Sequence, residues 1–571
     1  GHAQRRLHCD ARLLGLGLLG LSGLTLLHGL PQAQTVRVPT EHSGQPAAGW
    51  PSAESGRFLD SAPAPVPTPE APAAAASQAA APREDGPWPP PVVEPAHADG
   101  CSTALTGSGR TFHVGPGQTF TELDEVPWLS LQAGDVVNIH HRPEPYRTKI
   151  GLRAQGRADA PVVLNGVTDA QCRRPVISGE NATTARDAAA SGFFSKQYSE
   201  PYGLIFIYKS RDQAWGSRPR HIRIQNLKLT GAHKDRRYTG MDGQSGRYVA
   251  GAAAIYAIVV EDLTVENCEI TGNGNGIFVN SRSDEESSRN VFIRHNRIWN
   301  NGNVGSWLEH NLYVQTARAL YEGNDIGQLI PGARGSSLKD RSSGTVVRFN
   351  RITAAARALD LVEIEGGVRP VREDRHYPDA WVYGNLILND LSLPGSGSVK
   401  LIHWGGDNDE RHFRNGTLHF FHNTVIHSGT QQQAWYMALF DMPGARQTVR
   451  ATGNLIVNLG STQMRVGHQA GTVEFAGSNW ISRDWAQAGP DSVVRVRTSG
   501  AQLFEGPPPA ISTASGRMRT PLARLDQPVG DLPTDSAGQP LRLSHQIGEE
   551  RGLARRPVRG RGPDLGAIEQ P

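Results

Sequence analysis

Four short segments carry the residue types from which bond-breaking chemistry on a large substrate is built: EHNLYVQ (309–315), GSSLKDR (335–341), ALDLVEIEGG (358–367) and KLIHWGGDNDE (400–410). They bring together His310, Tyr313, Lys339, Arg341, Asp360, Glu363 and His403, followed by Asp407, Asp409 and a later Asp441. Two chemistries use such a mixture. In β-elimination a base removes the proton alpha to a carboxyl group while cations neutralise that carboxylate, and a lysine with a lowered pKa can serve as the base. In hydrolysis of an acetal link, two carboxylates divide the roles of acid and of base or nucleophile. For elimination the candidate catalytic residues are Lys339, Arg341, His310, Tyr313 and His403, with Lys339 as the base. Candidate substrate contacts are Asp360, Glu363, Trp404 and Asn311, and Tyr313, Trp404 and Trp435 are aromatic rings able to stack on an apolar substrate face. Glu363 and Glu365 are a candidate pair of calcium ligands. Asp360, Glu363, Asp407 and Asp441 supply carboxylates for the hydrolytic alternative. An ordinary solvated strand face also carries polar residues; these differ in clustering in consecutive segments.

A repeat fixes their placement. HIRIQNLKLTG (221–231), LTVENCEITGNG (263–274), VFIRHNRIWNNG (291–302), TVVRFNRITAA (345–355) and TVRATGNLIVNLG (448–460) share one pattern: alternating apolar and polar residues, an asparagine, a short apolar strand, then a turn. The asparagine recurs at 226, 267, 296, 324, 350, 385, 423, 454 and 479, at gaps of 25 to 41 residues. Period-two alternation marks half-buried strands, and asparagine at a bend tolerates the left-handed backbone region. Stacked coil on coil, its amides would form a ladder, donating and accepting between turns. A propeller would demand a more regular period of about 40–50 residues. The pattern therefore predicts an all-β, right-handed parallel β-helix over 101–505. Tyr313 and Lys339 each stand eleven residues before their asparagine (324 and 350), so they should be neighbours one coil, about 4.8 Å, apart.

The chain of 571 residues carries 58 basic and 55 acidic residues, a formal charge of +3, too small to argue for a nucleic-acid partner. Hydrophobic residues at 38% and aromatics at 7%, with 64 Gly and 39 Pro, suit a thin solenoid with long polar loops. Residues 1–34 hold a basic start and the uncharged run Leu13–Leu27, a signal peptide or membrane anchor, which predicts a periplasmic, cell-surface or secreted protein. The Pro/Ala-rich stretch 35–100 reads as a disordered linker packing against nothing, and 506–571 as an extension packing on or capping the helix. Cys101 and Cys172 can pair in an oxidising compartment, whereas Cys268 lies in a strand pattern as a small buried hydrophobe. A monomer is expected, with contact to a membrane only through an N-terminal anchor.

The first folded stretch, with Gly134-Asp135-Val136-Val137, Tyr146, Gly156 and Pro161-Val162-Val163-Leu164, resembles the first coils of the alginate lyase and chondroitinase B family. The closing Gly562-Pro-Asp-Leu-Gly-Ala-Ile-Glu569 resembles the ending of many bacterial β-helix proteins. The resemblance spans roughly 100–571. It implies a polysaccharide substrate and β-elimination, and Ser337 to Ser343 (SLKDRSS) looks like the family's Lys-Ser segment, placing Lys339 as its base. Two departures stand out. The family's acidic calcium ligands precede that lysine, where this chain has Arg334-Gly335-Ser336-Ser337, and its later Arg-His-Gly is replaced by Glu363-Ile364-Glu365-Gly366-Gly367. Arg341 or Arg357 would then have to replace the family's arginine, and calcium, if used, would fall to Glu363 and Glu365. Three readings follow: a lyase releasing unsaturated, ultraviolet-absorbing ends; a glycoside hydrolase releasing reducing ends only; and a non-catalytic polysaccharide-binding surface protein releasing neither.

Overall fold

The computed structural model describes residues 86–96, 100–498, 500–522, 525–527, 529–548 and 552–570. The expected signal or anchor segment and all of the expected linker before Gly86 lie outside the described residues.

Three long sheets dominate. In a typical coil the chain runs through a strand of the first sheet (Glu261–Glu266), bends at Asn267, enters the second sheet (Glu269–Thr271) and then the third (Asn275–Val279), before a loop returns it to the first sheet at Arg289–Arg294. Equivalent strands pair in parallel from coil to coil, giving a first sheet of 13 strands, a second of 11 and a third of 13. This is a parallel β-helix. Among the described residues one antiparallel edge occurs within these sheets, Arg237–Thr239 against Ser245–Arg247, at the end of the third sheet.

The alternation that predicts the strands also fills the core. In the first sheet Ile224, Val265, Ile293, Tyr321, Val347, Val382 and Phe420 stand in one register row, all turned inward. Ile270, Ile298, Ile326, Ile352 and Ile387 form a matching row in the second. Like side chains stacked one strand spacing apart bury each other's apolar area continuously along the axis, which is how a solenoid does without a globular centre.

The asparagine ladder forms at the bend between the first two sheets. Asn324 Nδ2 donates to Asn350 Oδ1 at 2.9 Å, Asn350 to Asn385 at 3.0 Å, Asn385 to Asn423 at 3.0 Å and Asn454 to Asn479 at 3.0 Å. The ladder reverses once. Asn267 donates backward, to Asn226 at 2.7 Å, and Asn296 donates forward, to Asn324 at 3.1 Å. The backbone differs from expectation here. Asn226 and Asn267 do take positive φ, but in the following coils the residue before the asparagine does so: His295, Gly323, Phe349, Gly384, His422 and Gly453. The amide is thus kept for the ladder, and the left-handed residue moves one step back.

The Cys101–Cys172 disulfide is present, with Cα atoms 4.5 Å apart, and Cys268 is a buried free thiol. The expectation of an unpacked linker fails at its end. Trp88 is buried among Leu320, Val346, Phe349 and Trp381 on the outer face of the first sheet, its Nε1 donating to Gly344 O at 2.8 Å. The physical reason is that these outward positions are apolar and need cover. Residues of the C-terminal segment cover more of the outside: Leu541 and Leu543 join Trp88 there, and Met518, Leu525 and Leu565 pack on Leu455, Val457 and Trp480 of the second sheet.

Candidate functional site

One row of the third sheet holds most of the predicted residues. Cα pairing runs Phe206–Tyr256–Phe278–Tyr313–Lys339–Asp360–His403–Asp441–His468, one residue per coil. The first four are aromatic rings in a stack, with centroids 5.8, 4.4 and 5.0 Å apart. At Lys339 the row changes from aromatic to charged. Tyr313 and Lys339 are register neighbours as their equal spacing predicts.

The charged part is tightly paired. Lys339 Nζ lies 2.7 Å from Asp360 Oδ2 and 2.9 Å from Asp407 Oδ2. Arg341 Nη2 reaches the same Asp407 oxygen at 2.9 Å, and its Nη1 donates to Glu363 O at 2.9 Å. The other oxygen of Asp360 lies 2.8 Å from His403 Nδ1. Arg357 Nη1 is 2.7 Å from that same nitrogen and 3.4 Å from Asp360 Oδ1. Nδ1 cannot donate to the carboxylate and accept from the guanidinium at once, so only one of these two contacts is a hydrogen bond of the ring. Further along, Asp441 takes hydrogen bonds from His468 Nδ1 at 2.8 Å and Gln469 Nε2 at 2.6 Å, with Arg357 and Lys400 at 3.5 and 3.9 Å.

Burial opposes ionisation of Asp360, but Lys339, Arg357 and His403 outweigh it and hold its carboxyl well below the ordinary range. Asp407 is likewise held low against its burial, by Lys339 and Arg341, and Asp441 by His468, His403 and Lys400. His310 is pushed down to about 3 by burial and then by the Lys339 charge. Its Nδ1 accepts from Ser336 N–H at 2.8 Å, so the neutral ring carries its proton on Nε2. Tyr313, raised well above 10 by burial and by Glu365, remains a phenol and donates to Glu365 at 3.1 Å.

Four predictions need correction. The row is not an open groove: Tyr313, Lys339, Asp360, His403 and Asp441 are all buried, under loops that include the one carrying Asp407. Trp404 alternates inward rather than outward, is wholly buried, and packs against the Arg414 guanidinium 4.7 Å away, so it offers no face to a substrate. Asn311 belongs to a second, internal ladder, where it accepts from Asn301 at 2.9 Å and donates to Gly327 O at 2.8 Å. Glu363 is buried, and its oxygens take the backbone N–H groups of Asp407, Asn408 and Asp409 at 2.7–2.8 Å. Glu365 is taken by Tyr313 and Gln315. These two carboxylates do not fit calcium, and among the described residues no group of three or more His, Cys, Asp or Glu could hold a metal ion.

Glu363 instead clamps the loop that brings Asp407 over Lys339. That loop starts at Gly405, whose φ of 101° favours glycine, with the Gln447 side chain packed against it. Asp409 points elsewhere, pairing with Arg411 on the surface. Trp435 is exposed. His468 was missed from sequence, although the signal was there: it stands eleven residues before Asn479, the spacing of Tyr313 and Lys339.

No family model matches the chain, and no curated relative matches it. Solved structures match at low identity. An alginate lyase from Paenibacillus sp. str. FPU-7 matches at 12% identity, covering 64% of this chain and 94% of that one, with a TM-score of 0.30. A GH136 lacto-N-biosidase from Eubacterium ramulus matches at 10% identity, covering 70% of this chain and 68% of that one, with a TM-score of 0.27.

Proposed function

We propose that this protein is an exported carbohydrate-active enzyme that cleaves an acidic polysaccharide by β-elimination on the third sheet of its β-helix. The observation that carries this reading is the row Lys339–Asp360–His403–Asp441. Taking charges out of water costs several kcal/mol each unless they are paired and hydrogen-bonded, and an apolar row would stabilise the coil stack at least as well. Consecutive buried charges, with the carboxyls of Asp360 and Asp441 held low, are therefore what supports a working site.

Elimination is favoured over paired-carboxylate hydrolysis by the state of the acids. Asp360 and Asp407 share Lys339 and both lie low, so neither holds the proton that a general acid must give. The remaining groups match the needs of elimination. Lys339 and Arg341 already grip one carboxylate, that of Asp407, and a uronate carboxylate is the same chemical group. His403, oriented by Asp360 as in other His–Asp pairs, presents Nε2 as a proton acceptor. The Tyr313 phenol can donate toward a leaving oxygen. Arg341 can hold the substrate carboxylate while Lys339 or His403 takes the proton, and the Lys339 and His403 variants differ in pH profile according to which one does. Export is supported by the Cys101–Cys172 bridge, a bond of oxidising compartments.

The test is incubation of the purified protein with a panel of acidic and neutral glycans, read for both ultraviolet absorbance and reducing ends. Unsaturated ends from an acidic glycan are expected. Reducing ends without ultraviolet absorbance would move the assignment to hydrolysis, and neither signal would leave a binding protein.

A further inference from the structure

A cleft lies on the same sheet, toward the N-terminal end. Phe206 and Lys339 occupy one register row four coils apart, roughly 19 Å at the ~4.8 Å spacing of paired strands. Just past the ends of the strands Gly203–Ile207 and Asn275–Val279, the chain forms a cleft lined by Tyr208, Lys209, Arg211, Trp215 and Arg282. Trp215 is 55% exposed, a large apolar face left in water. Lys209 Nζ stands 4.8 Å from its ring centroid and Arg282 Cζ 6.0 Å. Arg282 is held by Glu286 and by Tyr208 Oη, 2.9 Å from its Nη2, while its buried Nη1 has no hydrogen-bond partner among the described residues.

The electrostatics differ from those of the charged row. There each cation meets a carboxylate: Lys339, Arg341, Arg357 and Lys400 are all in ion pairs. Here, among the described residues, Lys209 and Arg211 are in none of the ion pairs, and Asp212 is turned away to Arg153 at 2.8 Å. An exposed indole edged by surplus cations is complementary to one kind of ligand, a sugar ring with an apolar C–H face and an attached carboxylate or sulfate.

We propose that this cleft is a distal subsite for an acidic sugar unit of the chain whose cleavage is assigned to the Lys339 row. It rests on the acidic-polysaccharide reading and adds a place, a polarity and a chain-length dependence to it. A chain bridging both sites runs across the coils, parallel to the helix axis, and chains too short to span the intervening coils lose the contact.

The experiment uses Trp215→Ala and Arg211→Gln in the full chain, with polymannuronate, polygalacturonate and chondroitin sulfate as polymers, their trimers, and dextran as neutral control. Both residues are exposed, so the fold should persist, as circular dichroism verifies. The advantage of polymer over trimer in kcat/KM should fall about tenfold in Trp215→Ala, and polymer binding by Arg211→Gln should lose much of its salt dependence. An unchanged polymer advantage overturns the subsite and leaves the elimination reading standing. Trp215-dependent binding of an acidic polymer that is never cleaved supports the subsite and overturns the elimination reading. Dextran bound as tightly as the acidic polymers overturns the charge selectivity, and failure of every acidic polymer to bind or be cleaved overturns both.

Discussion

Asp407→Asn perturbs the site at one atom pair and separates two roles for this carboxylate. In the wild type its Oδ2 lies 2.9 Å from both Lys339 Nζ and Arg341 Nη2, on a side chain 27% exposed. Removing one member of a fully buried ion pair costs about 3–5 kcal/mol. Here the loss should be smaller, about 1–2 kcal/mol, because the site is partly wet and both cations keep other acceptors, Asp360 for Lys339 and Glu363 for Arg341. The folded-state pKa of Asp407 lies below its unfolded value of 3.8, so its contribution is fully present above 3.8 and is lost as pH falls from there through the folded-state pKa. Denaturant unfolding at neutral pH should show the deficit, and the difference between variant and wild type should shrink only as pH falls below 3.8 toward the lower folded-state pKa. Catalytically, the substrate carboxylate no longer has an internal competitor for Lys339 and Arg341. KM for an acidic glycan should fall severalfold, with kcat changing far less. A loss of a hundredfold or more in kcat at unchanged KM would make Asp407 a participant in the bond-breaking step and refute its role as a stand-in for the substrate's carboxylate.

Three further outcomes are expected. Gly405→Ala puts a Cβ on a backbone at a φ of 101°, which strains the start of the Asp407 loop; activity should drop at least tenfold while Tm falls by only a few degrees, measured by turnover and thermal melting. His310 and His422, held at about 3, and His427, at about 4, are neutral in the fold but titrate near 6.5 when unfolded. Unfolding therefore takes up protons below pH 6.5, stability is lost progressively from there toward pH 4, and urea titrations across that window should reveal it. Cleaving the Cys101–Cys172 bridge, which spans 71 residues, should cost roughly 4 kcal/mol in the chain-entropy model, read as a lower denaturation midpoint under reductant.

The fold was legible because a β-helix writes its period into the chain. The asparagine at each bend and the two-residue alternation before it are local, so nine coils could be aligned by eye. The same register placed Tyr313 beside Lys339, and it holds for His468, eleven residues before Asn479. The errors arose where loops of unequal length intervene. Trp404 is adjacent to His403, and successive strand residues face opposite ways, so placing His403 outward already turned Trp404 inward. Asn311 and Glu363 look like binding groups by type, yet one is consumed by an internal ladder and the other by three backbone N–H groups of a distant loop. Those partners come from tertiary packing, which residue type does not disclose. Trp88 shows the converse: a Pro-rich stretch reads as linker by composition, but the apolar outer face of the first sheet gives its tryptophan a place to bind.

The most direct test of the central claim is the turnover of Lys339→Ala on whichever acidic glycan the wild-type protein converts to unsaturated products. Lys339 bridges Asp360 and Asp407 at the centre of the charged row, so its loss should lower kcat by about 10²–10⁴-fold while the far-ultraviolet circular dichroism of the β-helix is retained. A Lys339→Ala protein that is folded and cleaves that glycan at the wild-type rate would contradict the account.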